Sequence, residues 1–129
     1  FTLPTIVQAT SGRIMPDRAI QVAKKVKGWS VGGSVQSTDP EVLKLIKRSN
    51  ISTSAYRKGM DFTNNRKNEK TSTEIILGLP GDTKEKHFES LRYGIDNNAK
   101  QIRMYQAMLL IGTDMATKDS RKKFEKFGN

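Results

Sequence analysis

The stretch Thr73-Glu74-Ile75-Ile76-Leu77-Gly78-Leu79-Pro80-Gly81-Asp82-Thr83 decides the fold. β-branched residues and leucine dominate its first seven positions, which predicts a strand over 73–79. The near-continuous apolar run predicts burial on both faces, as in a parallel sheet. Pro80-Gly81-Asp82 then turns the chain, and Thr83 is a good N-cap for a helix over 84–97. Phe88, Leu91 and Ile95 are expected to form that helix's inner face, with His87 at the surface. One strand–turn–helix unit is read from a single passage.

The same alternation extends outward in both directions. A strand is predicted over 5–10, closed by Ser11-Gly12. Pro16 and Asp17 open a helix, since proline suits the first turn and an acid suits the positive end. Ala19, Val22, Ala23 and Val26 repeat at helical spacing and predict one buried stripe. A second strand over 30–36 (SVGGSVQ) carries two glycines, which predict a bulge or a close backbone approach. Asp39-Pro40-Glu41 starts another helix, with Val42, Leu45 and Ile46 as its buried face. A further helix is predicted over 54–64, a fourth strand over 102–110 and a last helix over 113–127.

Four βα units with parallel strands result, so the fold class is α/β. An eight-unit TIM barrel uses about 250 residues, or about 31 per unit. Four such units account for the 129 residues of this chain, which predicts part of a (β/α) barrel. A doubly wound open sheet is the alternative, but no Gly-x-Gly-x-x-Gly fingerprint follows the first strand.

Composition removes several function classes. The chain has no Cys and one His, so it can hold neither a disulfide nor a Cys-ligated metal centre, and a His-rich metal site is excluded. No apolar run reaches the roughly 18 residues of a membrane span, and a cytoplasmic location is expected. The 23 Lys+Arg against 13 Asp+Glu give a formal charge of +10. These cations are spread over the polar sides of the predicted helices and are not interleaved with aromatics, so nucleic acid is not the expected partner. The first residue is Phe, not Met, which raises the expectation that something has been removed upstream.

Chemistry in such a sheet collects where strands end and helices begin. Ser34 and Gln36 stand two apart at a strand end, so strict alternation places them on one face, able to bind a ligand or to satisfy each other. Glu74 lies in an apolar strand and needs a partner, either a ligand or a cation such as Arg103 on the next strand. Arg48 closes a helix, where a cation is favoured by the dipole in any case. The glycine turn at 78–83 leads onto a helix N-terminus that can hold an anion, though it lacks the Lys-Ser/Thr ending of a P-loop. Asn50-Ile51-Ser52 matches the glycosylation pattern, but nothing else in the chain points to secretion.

Taken together, Gly33-Ser34-Val35-Gln36-Ser37-Thr38-Asp39-Pro40-Glu41-Val42-Leu43, Ile46-Lys47-Arg48-Ser49-Asn50-Ile51, Glu74–Thr83 and Met108-Leu109-Leu110-Ile111-Gly112-Thr113 resemble the radical S-adenosylmethionine enzymes, in particular their cobalamin-binding branch. The resemblance implies a partial TIM barrel of which this chain supplies about strands three to six. It further implies an S-adenosylmethionine site at the C-terminal strand ends, with a [4Fe–4S] cluster, and cobalamin, in the parent protein. By the same resemblance Gln36, beside Ser34, contacts the ribose or methionine portion and Arg48 pairs with the methionine carboxylate. Glu74 contacts the nucleoside, and the backbone near Gly78 and Met108 borders it, Met108 at the adenine. The family's Cys-x-x-x-Cys-x-x-Cys loop is absent, as is its Gly-Gly-Glu-type motif, so the isolated chain is expected to be inactive. Its expected partners are the missing N-terminal part of the barrel, or a second copy through exposed edge strands. The alternative function is a non-catalytic α/β module binding phosphorylated ligands or nucleic acid.

Overall fold

The computed structural model describes residues 7–10, 16–26, 29–67 and 69–125. Four strands, β1 (Val7–Thr10), β2 (Trp29–Gln36), β3 (Ser72–Leu77) and β4 (Gln101–Gln106), pair in the order β1-β2-β3-β4. Every pairing is parallel. Between them run α1 (Pro16–Lys25), α2 (Pro40–Leu45), α3 (Thr53–Asn64) and α4 (Lys84–Asp96), and α5 (Lys118–Glu125) follows β4. Sequential order without a reversal distinguishes this sheet from a doubly wound one, whose strand order turns back at a switch point.

The two faces of the sheet are used differently. Gly33, Thr73 and Ile102 form one row across β2, β3 and β4. A Cβ on Gly33 would come within 2.7 Å of the Tyr56 ring on α3, and one on Gly94 of α4 within 3.1 Å of both Ile102 and Thr73. On the same face Val31 packs with Ala19, Ile20 and Ala23 of α1, flanked by Trp29 and Phe62. Val35 packs with Tyr56 and Met60, flanked by Ile51, Tyr93 and Ala99. Helices α1, α3 and α4 therefore cover one face, while the row Ser34–Glu74–Arg103 lies on the other. Helices on one face of a sequential parallel sheet are the arrangement of a βα barrel segment.

Local signals place the helices well. Asp39 caps α2 by accepting from the N–H groups of Glu41 and Val42, Ser52 caps α3 through Ala55 N–H, and Thr83 caps α4 through Lys86 N–H. At the end of α2, Lys47 takes φ 52°. Its N–H reaches Lys44 O and that of Arg48 reaches Leu43 O, a Schellman closure with Lys where Gly is usual. That closure turns Arg48 out of the helix and toward β2.

Several expectations about faces are corrected. On α1, Ala19, Ile20 and Ala23 are buried, whereas Val22 and Val26 are exposed. Leu45 of α2 is likewise exposed. On α4 the buried residues are His87, Ser90 and Gly94, whereas Phe88 is 52% and Ile95 64% exposed. One reason is distance: at Gly94, α4 lies so close to Thr73 of β3 and Ile102 of β4 that a side chain there would be crowded. Burial of β3 falls toward its C-terminal end: Ser72 and Thr73, on opposite faces, are both buried, Ile75 is 1% exposed and Leu77, on the same face as Ile75, is 51% exposed. The fourth strand ends at Gln106. The last helix is interrupted, because a 3-10 turn (Asp114–Ala116) is followed by extended Thr117 before α5 begins. Positions 5 and 6 of the first predicted strand and 126–127 of the last predicted helix lie outside the described residues.

Candidate functional site

The end of β2 departs from regular strand geometry. Gln36 has φ 64°, and Ser37 N–H donates to Val35 O at 2.8 Å, closing a tight turn over it. Pairing with β3 slips at the same place: Ser34 stands opposite Glu74, but Gln36 stands opposite Ile75. The bulge therefore breaks the alternation expected to put Ser34 and Gln36 on one face. A non-glycine residue held in the left-handed region costs energy and persists where surrounding bonds impose it. Those bonds are visible on both sides of Gln36.

Before the bulge, Ser34 is buried and its hydroxyl donates to Glu74 Oε2 at 2.6 Å, while its carbonyl accepts from Arg48 Nη2. After the bulge, Ser37 O accepts from Asn50 Nδ2 at 2.8 Å. Asn50 Oδ1 in turn accepts from Arg48 Nε at 3.3 Å. Between Ser34 and Ser37 in the chain, Gln36 Oε1 is buried with no hydrogen-bond partner. A buried amide oxygen left unpaired costs stability unless something donates to it.

Four of the six expected site residues, Ser34, Gln36, Arg48 and Glu74, are thus brought together around one strand end. Glu74 takes its bond from Ser34, and Arg103, although opposite it in register, donates to Gln101. Gly78 and Met108 sit one and two residues beyond β3 and β4 on the same edge of the sheet. There Ala107 N–H still reaches Leu77 O at 2.9 Å. Gly78 has φ 79° and open space around it, and Met108 is 70% exposed.

A second polar group backs this edge. Lys86 Nζ of α4 reaches Asp39 Oδ1 at 3.1 Å, Glu41 Oε2 at 2.9 Å and Gly81 O at 3.3 Å. Thr38 N–H donates to Ser90 Oγ at 2.9 Å. The loop after β2 is thereby clasped to α4. The backbone N–H of Val42, with Lys86 adding to it, holds the Asp39 carboxyl below its ordinary pKa, and Glu41 with Asp39 raises that of Lys86. Neither Asn50 nor Ser90 was anticipated as part of the edge. Asn50 entered only as part of a matched stretch and of the set-aside glycosylation pattern, with no role attached, and Ser90 gave no signal, since its partner lies 52 residues away.

The turn at 78–83 does not suit an anion. Asp82 Oδ1 already accepts the Thr83 N–H at 3.0 Å, and burial raises the Asp82 carboxyl pKa. His87, expected at the surface, is buried 3.8 Å from Asp82 Oδ2. A carboxyl at this helix start occupies the donor that a phosphate would use.

The donor set also limits cofactors. The sequence has no cysteine, and among the described residues no group of three or more His, Asp or Glu could hold a metal ion. An iron–sulfur cluster therefore does not fit the residues of this chain. Among the described residues, no helix is long and apolar enough to cross a membrane.

No family model matches the chain. Over 100 residues it is 36% identical to the cobalamin-dependent radical SAM methyltransferase TokK of Streptomyces tokunonensis. The match covers 74% of this chain and 14% of that protein, so the chain spans about one-seventh of the length of the relative. A one-faced parallel βα segment with a polar cluster at its strand ends is thus similar in sequence to a short stretch of a radical SAM methyltransferase.

Proposed function

We propose that the strand-end cluster is one wall of an S-adenosylmethionine site in a protein related to radical SAM methyltransferases. In this reading the chain supplies about strands three to six of a partial barrel. The cluster ligands, and any cobalamin site, come from another part of the protein, which also completes the barrel beside β1. The observation that carries the reading is Gln36: a left-handed backbone and an orphaned buried amide oxygen, two residues after Ser34, which Glu74 and Arg48 both bond.

These residues suit a zwitterionic nucleoside. The Gln36 oxygen accepts from a ribose hydroxyl or an ammonium, which removes its burial penalty. The Glu74 carboxylate, held by Ser34, accepts from hydroxyls or exocyclic amines. The Arg48 guanidinium, held by Ser34 O and Asn50, brings a fixed positive charge to the edge for a carboxylate. The backbone at Gly78 and Met108 borders the same edge without side-chain bulk at Gly78. When bound, S-adenosylmethionine supplies an electrophilic sulfonium; this chain binds and orients, and supplies no electron to it.

Titration of the 15N-labelled chain with S-adenosylmethionine, followed by NMR, tests the proposal. Weak binding is expected, on the order of millimolar or about −4 kcal/mol, with shifts at the Gln36, Ser37, Gly78 and Met108 amides. Gln36→Leu should weaken it roughly fivefold, the worth of one hydrogen bond. Absence of shifts at these amides, or shifts confined to the helical face, would overturn it.

A further inference from the structure

We propose that Asn50 is the positioning residue of this strand end, coupling the Arg48 guanidinium to the Gln36 turn; the inference rests on the reading of the cluster as a cofactor wall. Asn50 lies in the loop between α2 and α3, and its side chain is half-buried and used at both ends. Nδ2 donates to Ser37 O at 2.8 Å, and Oδ1 accepts from Arg48 Nε at 3.3 Å. Ser37 is also the residue whose N–H closes the turn over Gln36. One amide thus fixes the peptide after the strained residue and the orientation of the cation beside it.

The chemistry of the amide explains why Asn is required. It presents one acceptor and one donor on a short, flat group. Aspartate keeps the acceptor for Arg48 but offers no donor to Ser37 O, and alanine keeps neither. Arg48 also donates to Ser34 O, the carbonyl two residues before Gln36. The turn is therefore held from both sides by the loop after α2, through Asn50 after it and Arg48 before it. Because derivatisation of Nδ2 would break the Ser37 bond, Asn50-Ile51-Ser52 has a structural use here in place of a glycosylation signal.

The test reads the Arg48 Nε–H resonance, the Gln36 and Ser37 amide shifts, and S-adenosylmethionine affinity in the full chain and in two variants. In the unmodified chain the Arg48 Nε–H should exchange with solvent more slowly than those of exposed arginines such as Arg92. Exchange as fast as theirs would overturn the proposal without any variant. Asn50→Ala should remove that protection, shift Gln36 and Ser37, and weaken binding roughly fivefold, the worth of one hydrogen bond. Asn50→Asp should retain the protected Arg48 signal while shifting Ser37, which a general loss of packing would not do. A folded Asn50→Ala chain with both signals unchanged would refute the coupling. If the unmodified chain fails to bind while the Arg48 and Ser37 signals respond as stated, the cofactor reading fails and the coupling stands.

Discussion

The two halves of the helical face are held by different forces. Under α1 and α3 the sheet is covered by carbon: Val31 and Val35 meet Ala19, Ile20, Ala23, Tyr56 and Met60. Under α4 the buried contact is made by Ser90, Gly94 and His87, with Tyr93 reaching across to the Val35 cluster, while Phe88 and Ile95 are exposed. Lys84 Nζ lies 5.8 Å from the Phe88 ring centroid on that outer surface. The first half excludes water by apolar area; the second relies on close backbone approach and on bonds such as Thr38 N–H to Ser90 Oγ. The polar strand-end cluster is joined to the second half, because the loop that follows Gln36 is the loop clasped by Ser90 and Lys86.

The contrast is broken most forcefully at Met60, which is 1% exposed. Met60→Ala should lower unfolding free energy by about 2–5 kcal/mol in chemical denaturation, and a loss well below that range would mean the first half is not the apolar anchor. A smaller effect belongs to the hydrogen-bonded half. Ser90→Ala leaves Thr38 N–H without its acceptor and should cost about 1 kcal/mol, together with amide shifts at Thr38 and Asp39 in NMR. Shifts confined to α4 would show that the clasp does not reach the loop. The smallest effect is expected at Phe88, whose ring the helical pattern would have buried. Phe88→Ser should change stability by no more than about 0.5 kcal/mol. A loss as large as that at Met60 would show that the outer face of α4 is covered.

How much could be read before the structure follows from the range of each interaction. The caps at Asp39 and Thr83 were legible because the bonds involved span two or three residues. The clearest predicted strand was found within two residues of its bounds for the same reason: propensity and turn chemistry are local. The inner face of α4 was not legible. A pattern of Phe88, Leu91 and Ile95 satisfies helical spacing, but the close approach at Gly94 comes from β3 and β4 and the partner of Ser90 from the loop after β2, and Phe88 and Ile95 are left exposed. The alternation from Ser34 to Gln36 failed similarly, since a bulge is set by what the neighbouring strand and the loop after α2 impose.

The sequence by itself determined the order of strands and helices, the parallel one-way path of the chain and the residue types gathered at the strand ends. It did so because caps, turns and periodicity act over a few residues. Only the tertiary structure decided which face each helix buries and that Ser34, Gln36, Arg48, Glu74 and Asn50 form one group. Those outcomes depend on bonds such as Ser34 to Glu74, which join residues 40 apart, and no local pattern carries that information.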